Sequence, residues 1–337
     1  MDLNAQPSPS LHHLRESLFN IQNAVDFNQL ALEVFRFQAH AIPVYHNYLN
    51  LLNVAPEQIK NHADIPFLPI GFFKSHSILA PNTTAELKFL SSGTTTSTRS
   101  THYVADADLY RSALLTGFRR VYGNPSEWSF LALLPSYLEN SHSSLIHMVN
   151  VLMEESPEKP HGFFMNNTAE LAAQLDINAA HHTKTMLIGV SYALLDFAEE
   201  FPRKSGPDVV METGGMKGRR KELVRSELHY IIKAGLGVQA VHSEYGMTEL
   251  LSQAYAPSDG LFTTPPWMKV MIRDVRDPRS WVPPGKTGGV NIIDLANLHS
   301  CSFIETSDLG RLHDDGSFEI LGRFDHAEIR GCNLLAF

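Results

Sequence analysis

The segment Leu90-Ser91-Ser92-Gly93-Thr94-Thr95-Thr96-Ser97-Thr98-Arg99-Ser100 ends an apolar stretch in a loop made almost wholly of hydroxyls and glycine. Residues this small let several backbone N–H groups and hydroxyls converge on one anion, and Arg99 adds positive charge. That chemistry suits a polyphosphate, although the loop lacks the Gly-Lys-Ser/Thr ending of a P-loop NTPase. A second constellation, His242-Ser243-Glu244-Tyr245-Gly246-Met247-Thr248-Glu249, follows an apolar strand. There Tyr245 would stack on a base, Gly246 permits a sharp exit, Thr248 would bond a phosphate, and Glu249 would hold Mg²⁺ together with phosphate oxygens. A third cluster, Glu305-Thr306-Ser307-Asp308-Leu309-Gly310-Arg311, is followed by Gly322-Arg323-Phe324-Asp325. An aspartate that accepts from two ribose hydroxyls, with an arginine near it, orients a nucleoside. Each motif also has an ordinary explanation: a polar surface loop, a strand-to-helix turn capped by Thr248, and a turn with Arg323 in a surface ion pair.

The elements that must position these groups follow from periodicity. Asp26 and Gln29 resemble a helix start, with Phe27, Leu30, Val34, Phe37 and Ala41 at helical spacing and Pro43 closing the helix. The apolar, twice proline-interrupted segment 65–74 reads as extended chain near a sheet edge or binding surface. Strands are expected at 86–90, 128–134, 184–190, 207–212 and 237–242. Helices are expected at 106–121, 142–155, 168–180, 191–201 and 217–234. Such alternation implies right-handed crossovers and a largely parallel sheet covered on both faces. After about residue 255, prolines break the chain. Short β segments follow at 267–273, 288–294 and 316–321, and Asp314-Asp315-Gly316 is a hairpin-turn signal. The expected organisation is an α/β body over 1–254 and a smaller β-rich part over 255–337.

Composition narrows the function classes. The chain has 337 residues, of which 43% are hydrophobic and 19% charged, the balance of a globular protein. A net charge of −9 argues against a nucleic-acid surface. No apolar run approaches a bilayer span, and the polar start of the chain lacks the pattern of a secretory signal, so no membrane span is expected. The two cysteines, Cys301 and Cys332, form no disulfide framework and fit a reducing cytoplasm. The 17 histidines are scattered without metal-ligand spacing beyond the pairs His12-His13 and His181-His182, which read as solvated loop or helix-end residues.

Taken in order, the Ser/Thr/Gly loop, Tyr-Gly-x-Thr-Glu, Thr-Ser-Asp and Gly-Arg-x-Asp resemble the signature series of the adenylate-forming superfamily. That superfamily includes acyl-CoA synthetases, peptide-synthetase adenylation domains and luciferase. Within it the likeness is to the LuxE-type acyl-protein synthetase of bacterial fatty-acid reductase complexes. The likeness is carried by Ile65-Pro66-Phe67-Leu68-Pro69 with Phe73-Lys74, Leu134-Pro135-Ser136-Tyr137-Leu138, Thr213-Gly214-Gly215-Met216-Lys217-Gly218-Arg219 and Arg330-Gly331-Cys332-Asn333-Leu334-Leu335. It runs from about residue 40 to the end. The fold it implies is the large domain of adenylate-forming enzymes, with mostly parallel sheets flanked by helices and a smaller β-rich C-terminal part.

The resemblance also implies roles. Ser91, Ser92, Gly93, Thr94, Thr95 and Thr96 would cradle the β- and γ-phosphates of ATP. Tyr245 would face adenine and Gly246 expose its ring. Thr248 would meet the α-phosphate, and Glu249 would be the Mg²⁺ ligand. Asp308 would take the ribose hydroxyls with help from Arg323, while Gly214 and Gly215 would line the adenine and acyl side. The implied reaction joins a carboxylic acid, a fatty acid in the LuxE type, to AMP with release of pyrophosphate. Two departures stand out. The chain stops about a dozen residues after Gly-Arg-x-Asp, so the mobile C-terminal domain and its lysine are expected to be absent, with Lys217 or Arg219 as substitutes. Leu138 stands where many members have a histidine, and His142 is its candidate replacement.

LuxE-type enzymes pass the acyl group to a cysteine near their own C-terminus and then to a partner reductase. That role falls to Cys332, where Arg330 would favour the thiolate; an acyl-accepting protein such as a reductase or carrier is the implied partner. Read from the residues alone, a lone cysteine is more often a small buried apolar group. Cys301, without family support, is expected to be structural. Phe67, Phe72, Phe73, Tyr137 and Met216 are candidates for an apolar acyl pocket. Two further readings stay open: an acyl- or aryl-CoA ligase using coenzyme A, and a nucleotide-binding scaffold without turnover.

Overall fold

Asn23 opens the longest helix, Ala24–Ala41, because its side chain accepts from the N–H groups of Val25 and Asp26 at 2.8 and 3.0 Å. Asp26, which the sequence offers as the start, sits in the first turn and accepts from the Gln22 N–H at 3.0 Å. The helix ends at Ala41 with Ile42 extended, as the residue before Pro43 should be; Pro43 also has a second role. It is the first residue of the next one, Pro43–Leu51, where its missing N–H and fixed φ are tolerated. The computed structural model describes residues 10–92, 99–135, 142–165, 167–214 and 223–324. Its contacts divide the chain into two units, one formed by residues up to Phe72 together with those from Pro266, the other by Phe73–Pro265.

The first unit holds the N-terminal helices and β1 (Leu68–Pro69). The second begins with a hairpin of β2 (Leu87–Leu90) and β3 (Thr101–Val104). It continues with β4 (Ser129–Leu133), β5 (Gly162–Phe164), β6 (Thr185–Val190), β7 (Val209–Thr213), β8 (His242–Tyr245) and β9 (Ala254–Ala256). These six form one sheet in the order β5-β4-β6-β7-β8-β9, parallel throughout except for the β8–β9 pair. Every residue of β4, β6 and β7 is buried, as a parallel sheet covered on both faces requires. Helices Ala107–Tyr122, Ser144–Glu154, Thr168–Ala180, Ser191–Glu200 and Arg225–Leu236 supply crossovers and cover.

The chain then returns to the first unit with β10 (Met268–Arg273), β11 (Thr287–Asp294), β12 (Phe303–Leu312) and β13 (Phe318–Arg323). The sheet runs β1-β12-β11-β10, with β13 on the other part of β12; only the β1–β12 pair is parallel. The turn at Asp314-Asp315-Gly316 joins β12 to β13 as its sequence indicates.

This division differs from the boundary at 254/255 read from sequence. Aromatic packing explains why the N-terminal helices belong with the late sheet. Phe35 meets the Phe303 ring edge-on at 5.9 Å and Tyr45 stacks on it at 6.2 Å. Buried Gln38 donates to the carbonyls of Asn297 and Leu298 and accepts from Ser302 N. Other differences are local. The 65–74 segment holds short β1 and a helical turn, Phe72–Ser75. The strand expected at 237–242 is His242–Tyr245, after Gly237 has ended the preceding helix with φ +64°. That helix starts at Arg225 rather than at 217. Among the described residues, no helix is long and apolar enough to cross a membrane.

Candidate active site

In the Phe73–Pro265 unit, the hydroxyl-rich segment, of which 93–98 lie outside the described residues, is in the chain between β2 and β3, whose ladder reaches the Leu90–Thr101 pair. One more backbone bond, Ser91 N–H to the Ser100 carbonyl at 3.0 Å, extends it. Ser91 Oγ also accepts from Ser100 N at 2.9 Å, so this hydroxyl braces the base of the loop. Ser92 is exposed beyond it. His142 lies along the outer edge of β2: its carbonyl accepts from Leu90 N at 2.9 Å, and its ring Nδ1 donates to the Lys88 carbonyl at 3.1 Å.

The Tyr-Gly-x-Thr-Glu motif leaves the carboxyl end of β8. Thr248 caps no helix, because the chain turns at Thr248-Glu249 and proceeds to β9. His102 of β3, fully buried against the Phe73 ring, donates from Nδ1 to the Thr248 carbonyl at 2.8 Å. The strand that leaves the hydroxyl-rich loop therefore grips the motif turn directly. Glu249 is 4% exposed. Tyr245 is 9% exposed, with the Phe262 ring 5.9 Å away at 61°. At Gly246 a Cβ would lie 2.4 Å from Glu244 Oε1, so a larger residue would require the Glu244 carboxylate to shift.

Two buried carboxylates underlie this edge, on opposite faces of the sheet because Glu212 pairs with Ser243 and Thr213 with Glu244. Ser191 Oγ lies 2.9 Å from Glu212 Oε2 and 2.7 Å from the Gly214 carbonyl, two acceptors for one hydroxyl proton. Arg225 Nε and His229 Nε2 stand 3.5 and 3.7 Å from Glu212 Oε1. Burial alone would raise the Glu212 pKa. Hydrogen bonding from His229, the Arg225 charge and Ser243 instead hold it below the usual carboxylate value. Glu244 accepts from Thr213 Oγ1 at 2.5 Å. Burial pushes its pKa up to about 7, opposed by the Thr213 bond and reinforced by the Glu212 charge.

In the other unit, the Thr-Ser-Asp motif is part of a strand and not a free turn. Between the pairs Gly289–Leu309 and Asn291–Glu305, Val290 alone faces Thr306, Ser307 and Asp308, so the motif is itself a bulge. Thr306 Oγ1 donates to the Val290 carbonyl at 2.8 Å and accepts from Asp308 N at 3.0 Å. Asp308 Oδ1 accepts from Arg323 Nε at 3.0 Å, the aspartate side chain being 9% exposed and the arginine 74%. Beneath the bulge lies Arg273, buried and bonded to its backbone.

The remaining sequence candidates separate clearly. Phe67 packs on Trp281 and Phe303, Phe72 on Tyr48, and Phe73 on His102, and Phe67 and Phe73 are buried. Cys301 is structural, a buried thiol donating to the Phe303 carbonyl, with its pKa pushed up to about 12 by burial. Gly93, Thr94, Thr95, Thr96, Tyr137, Leu138, Gly215, Met216, Lys217, Arg219, Arg330 and Cys332 lie outside the described residues. Sequence reasoning missed His102, Glu244 and Arg273. A charge inside the strand at Glu244 and the doublet Gly288-Gly289 within β11 were the available signals, since glycine in a strand marks a close approach.

Among the described residues no group of three or more His, Cys, Asp or Glu could cage a metal. The donor chemistry at Glu249 fits Mg²⁺, which is commonly held by one or two carboxylates plus substrate phosphates.

No family model matches the chain, and no curated protein matches it. Solved structures do. ATP-bound MatB from Rhodopseudomonas palustris matches with TM-score 0.55 and 18% identity, over 72% of this chain and 49% of that one. A 2-hydroxyisobutyryl-CoA ligase in the postadenylation state, in complex with R3-HIB-AMP, matches with TM-score 0.69 and 15% identity over 96% of this chain and 73% of that one. The same ligase with 2-HIB-AMP and CoA, in its thioesterification state, matches with TM-score 0.64 and 16% identity over 97% and 74%. The chain spans about half the length of the MatB structures it matches. At these identities the likeness is one of fold: the chain has the mixed α/β fold of adenylate-forming ligases.

Proposed function

We propose that this chain activates a carboxylic acid, a fatty acid in the first instance, with ATP, and then passes the acyl group to its own Cys332. The observation that carries the first half is the bond from His102 to the Thr248 carbonyl. It joins the strand that follows the hydroxyl-rich segment to the Tyr245–Glu249 turn, which supports reading the two motifs as parts of one site. The fold shared with an ATP-bound ligase and with ligase–acyl-AMP complexes supports the same reading.

In the proposed reaction a substrate carboxylate oxygen attacks the α-phosphorus, the bond to the bridging oxygen of the β-phosphate breaks, and pyrophosphate leaves. Ser92, Thr94, Thr95 and Thr96 would hold the leaving phosphates, Thr248 the α-phosphate, Tyr245 and Gly214 the adenine side, and Asp308 the ribose. Mg²⁺, when bound, supplies charge neutralisation at the phosphates, and Glu249 would hold it. The protein's part is alignment of two anions and electrostatic support. The Cys332 thiolate would then attack the acyl carbon, expelling AMP and leaving a thioester.

Coenzyme A is the second acceptor to consider, favoured by the match over 97% of the chain to a ligase holding 2-HIB-AMP and CoA. The test is a panel of carboxylates read by pyrophosphate release, with the mass of the protein recorded afterwards. An acyl mass increment that Cys332→Ser abolishes, while pyrophosphate release persists, is the expected result. Increment retained in that variant removes the thioester role. Coenzyme A-dependent AMP release without protein labelling selects the other acceptor, and ATP binding without carboxylate-dependent pyrophosphate release rejects both.

A further inference from the structure

Arg273 ends β10 and is 6% exposed, an unusual place for a guanidinium unless its donors are used. They are used on the bulge. Nη1 donates to the Val290 carbonyl at 3.0 Å and to Asn291 Oδ1 at 2.6 Å, and Nη2 donates to the Thr306 carbonyl at 2.8 Å. Glu305 Oε1 stands 3.7 Å from Nε, and the Phe324 ring centre 5.4 Å from Cζ. Val290 and Thr306 are residues that the broken register leaves out of the β11–β12 pairs, although Val290 still pairs with Ile272 of β10. The Val290 carbonyl accepts from Thr306 Oγ1 as well as from Arg273, and the planar fork joins the Val290 and Thr306 carbonyls on the two sides of the break.

The neighbouring strand is built around this group. A Cβ on Gly289 would lie 2.4 Å from Arg273 Cζ, and one on Gly288 would lie 2.2 Å from the Arg273 carbonyl oxygen. Neither position admits a side chain while Arg273 stays where it is. The bulge so secured consists of Thr306, Ser307 and Asp308, and its own hydroxyl bond, Asp308 N to Thr306 Oγ1, completes the arch.

We infer that Arg273 is a positioning residue for nucleotide use: its guanidinium fixes the Thr306-Ser307-Asp308 bulge in the shape that presents the Asp308 carboxylate to the ribose hydroxyls. This rests on the reading of Asp308 as the ribose acceptor. Arg273 touches no substrate and acts through the backbone carbonyls of Val290 and Thr306. Lysine cannot replace it, because one ammonium on a flexible stem does not reproduce the fork.

The experiment compares ATP with 2′-deoxy-ATP in carboxylate-dependent pyrophosphate release, using the full chain as wild type, Arg273→Lys, Arg273→Gln, Asp308→Ala and the double variant Arg273→Lys/Asp308→Ala. Wild type should prefer ATP, and Asp308→Ala should lose that preference. Arg273→Lys should raise KM for ATP about tenfold with kcat within about twofold, the pattern of lost uniform binding. Its preference for ATP over 2′-deoxy-ATP should fall towards unity, and in the Asp308→Ala background it should add less than about twofold. A variant that loses activity or stability but keeps the wild-type preference makes Arg273 purely structural and overturns the proposal. So does failure of both the Lys and Gln variants to fold. A wild type without preference, or Asp308→Ala that retains it, instead removes the ribose reading itself, a result distinct from failure of Arg273 alone.

Discussion

The two units place their candidate chemistry in different kinds of structure. Between Phe73 and Pro265 it stands beside the β2–β3 ladder and at the carboxyl ends of parallel strands, where loops change without disturbing the ladder. In the other unit Asp308 stands inside an antiparallel ladder and owes its place to a bulge. A loop group can be read from its own residues. A bulge group depends on residues elsewhere in the sheet that hold the break open. The electrostatics differ as well. Glu244, under the loops, keeps a hydroxyl as hydrogen-bond partner beside the Glu212 charge, whereas Arg273, under the bulge, has three oxygen acceptors and a carboxylate 3.7 Å away.

The largest expected effect tests the loops. If Glu249 holds Mg²⁺ at the reacting phosphates as proposed, Glu249→Ala should lower kcat for pyrophosphate release by about a hundredfold or more, since such a ligand acts mainly on the transition state. KM for ATP should move far less. On the proposed reading, that contrasts with changes at the bulge, where a contact to the unreacting ribose would show in KM. The comparison breaks if Glu249→Ala raises KM alone with kcat retained; measuring both constants at saturating carboxylate decides it.

A smaller effect concerns the carboxylate beneath the loops. The folded pKa of Glu244 is about 7 against an ordinary 4.5, so the folded state binds this proton more tightly than the unfolded chain does. Its contribution is therefore fully present below about pH 4.5, fades as pH rises through 7, and is absent at pH 8. Glu212, with its pKa lowered, carries the opposite sign and loses its contribution as pH falls through its folded value. Glu244→Gln should remove the first dependence, leaving the variant more stable than wild type at pH 8 by on the order of 3 kcal/mol and similar to it near pH 4.5. Denaturant midpoints at pH 5 and 8 measure this. A wild type and variant that respond in parallel to pH would show that Glu244 is ionised at no cost.

The same contrast explains what the sequence made legible. The buried runs of β4, β6 and β7 are continuous apolar segments, and a covered parallel strand has little choice but to read that way. Tyr245, Thr248 and Glu249 were visible because a turn after an apolar strand shows its own chemistry. β12 was not. Glu305, Thr306, Ser307, Asp308 and Gly310 are turn-forming or polar types, and their strand geometry comes from β11 and β13 rather than from local preference. His102 likewise looks like any polar strand residue until Thr248, 146 positions away, supplies its acceptor. Arg273 reads as a solvent-facing strand end; its burial is decided by the glycines that leave it room. Long-range pairing, not composition, set all three.

The smallest effect separates the two arginines near Asp308. Arg323 was the partner visible in sequence, two residues before Asp325, and it does bond Asp308 Oδ1. Its side chain, however, is 74% exposed, and an ion pair so placed is screened by solvent and opposed by side-chain entropy. Asp308 keeps its backbone bond to Thr306 Oγ1 without it, and the bulge keeps Arg273. Arg323→Ala should therefore change unfolding free energy by less than about 1 kcal/mol and raise KM for ATP only about two- to threefold. Titrating ATP for this variant beside Arg273→Lys tests the ordering. If Arg323→Ala weakens ATP use as much as Asp308→Ala does, the exposed pair sets the carboxylate's orientation, and a ladder bulge is not what distinguishes this unit from the loops of the other.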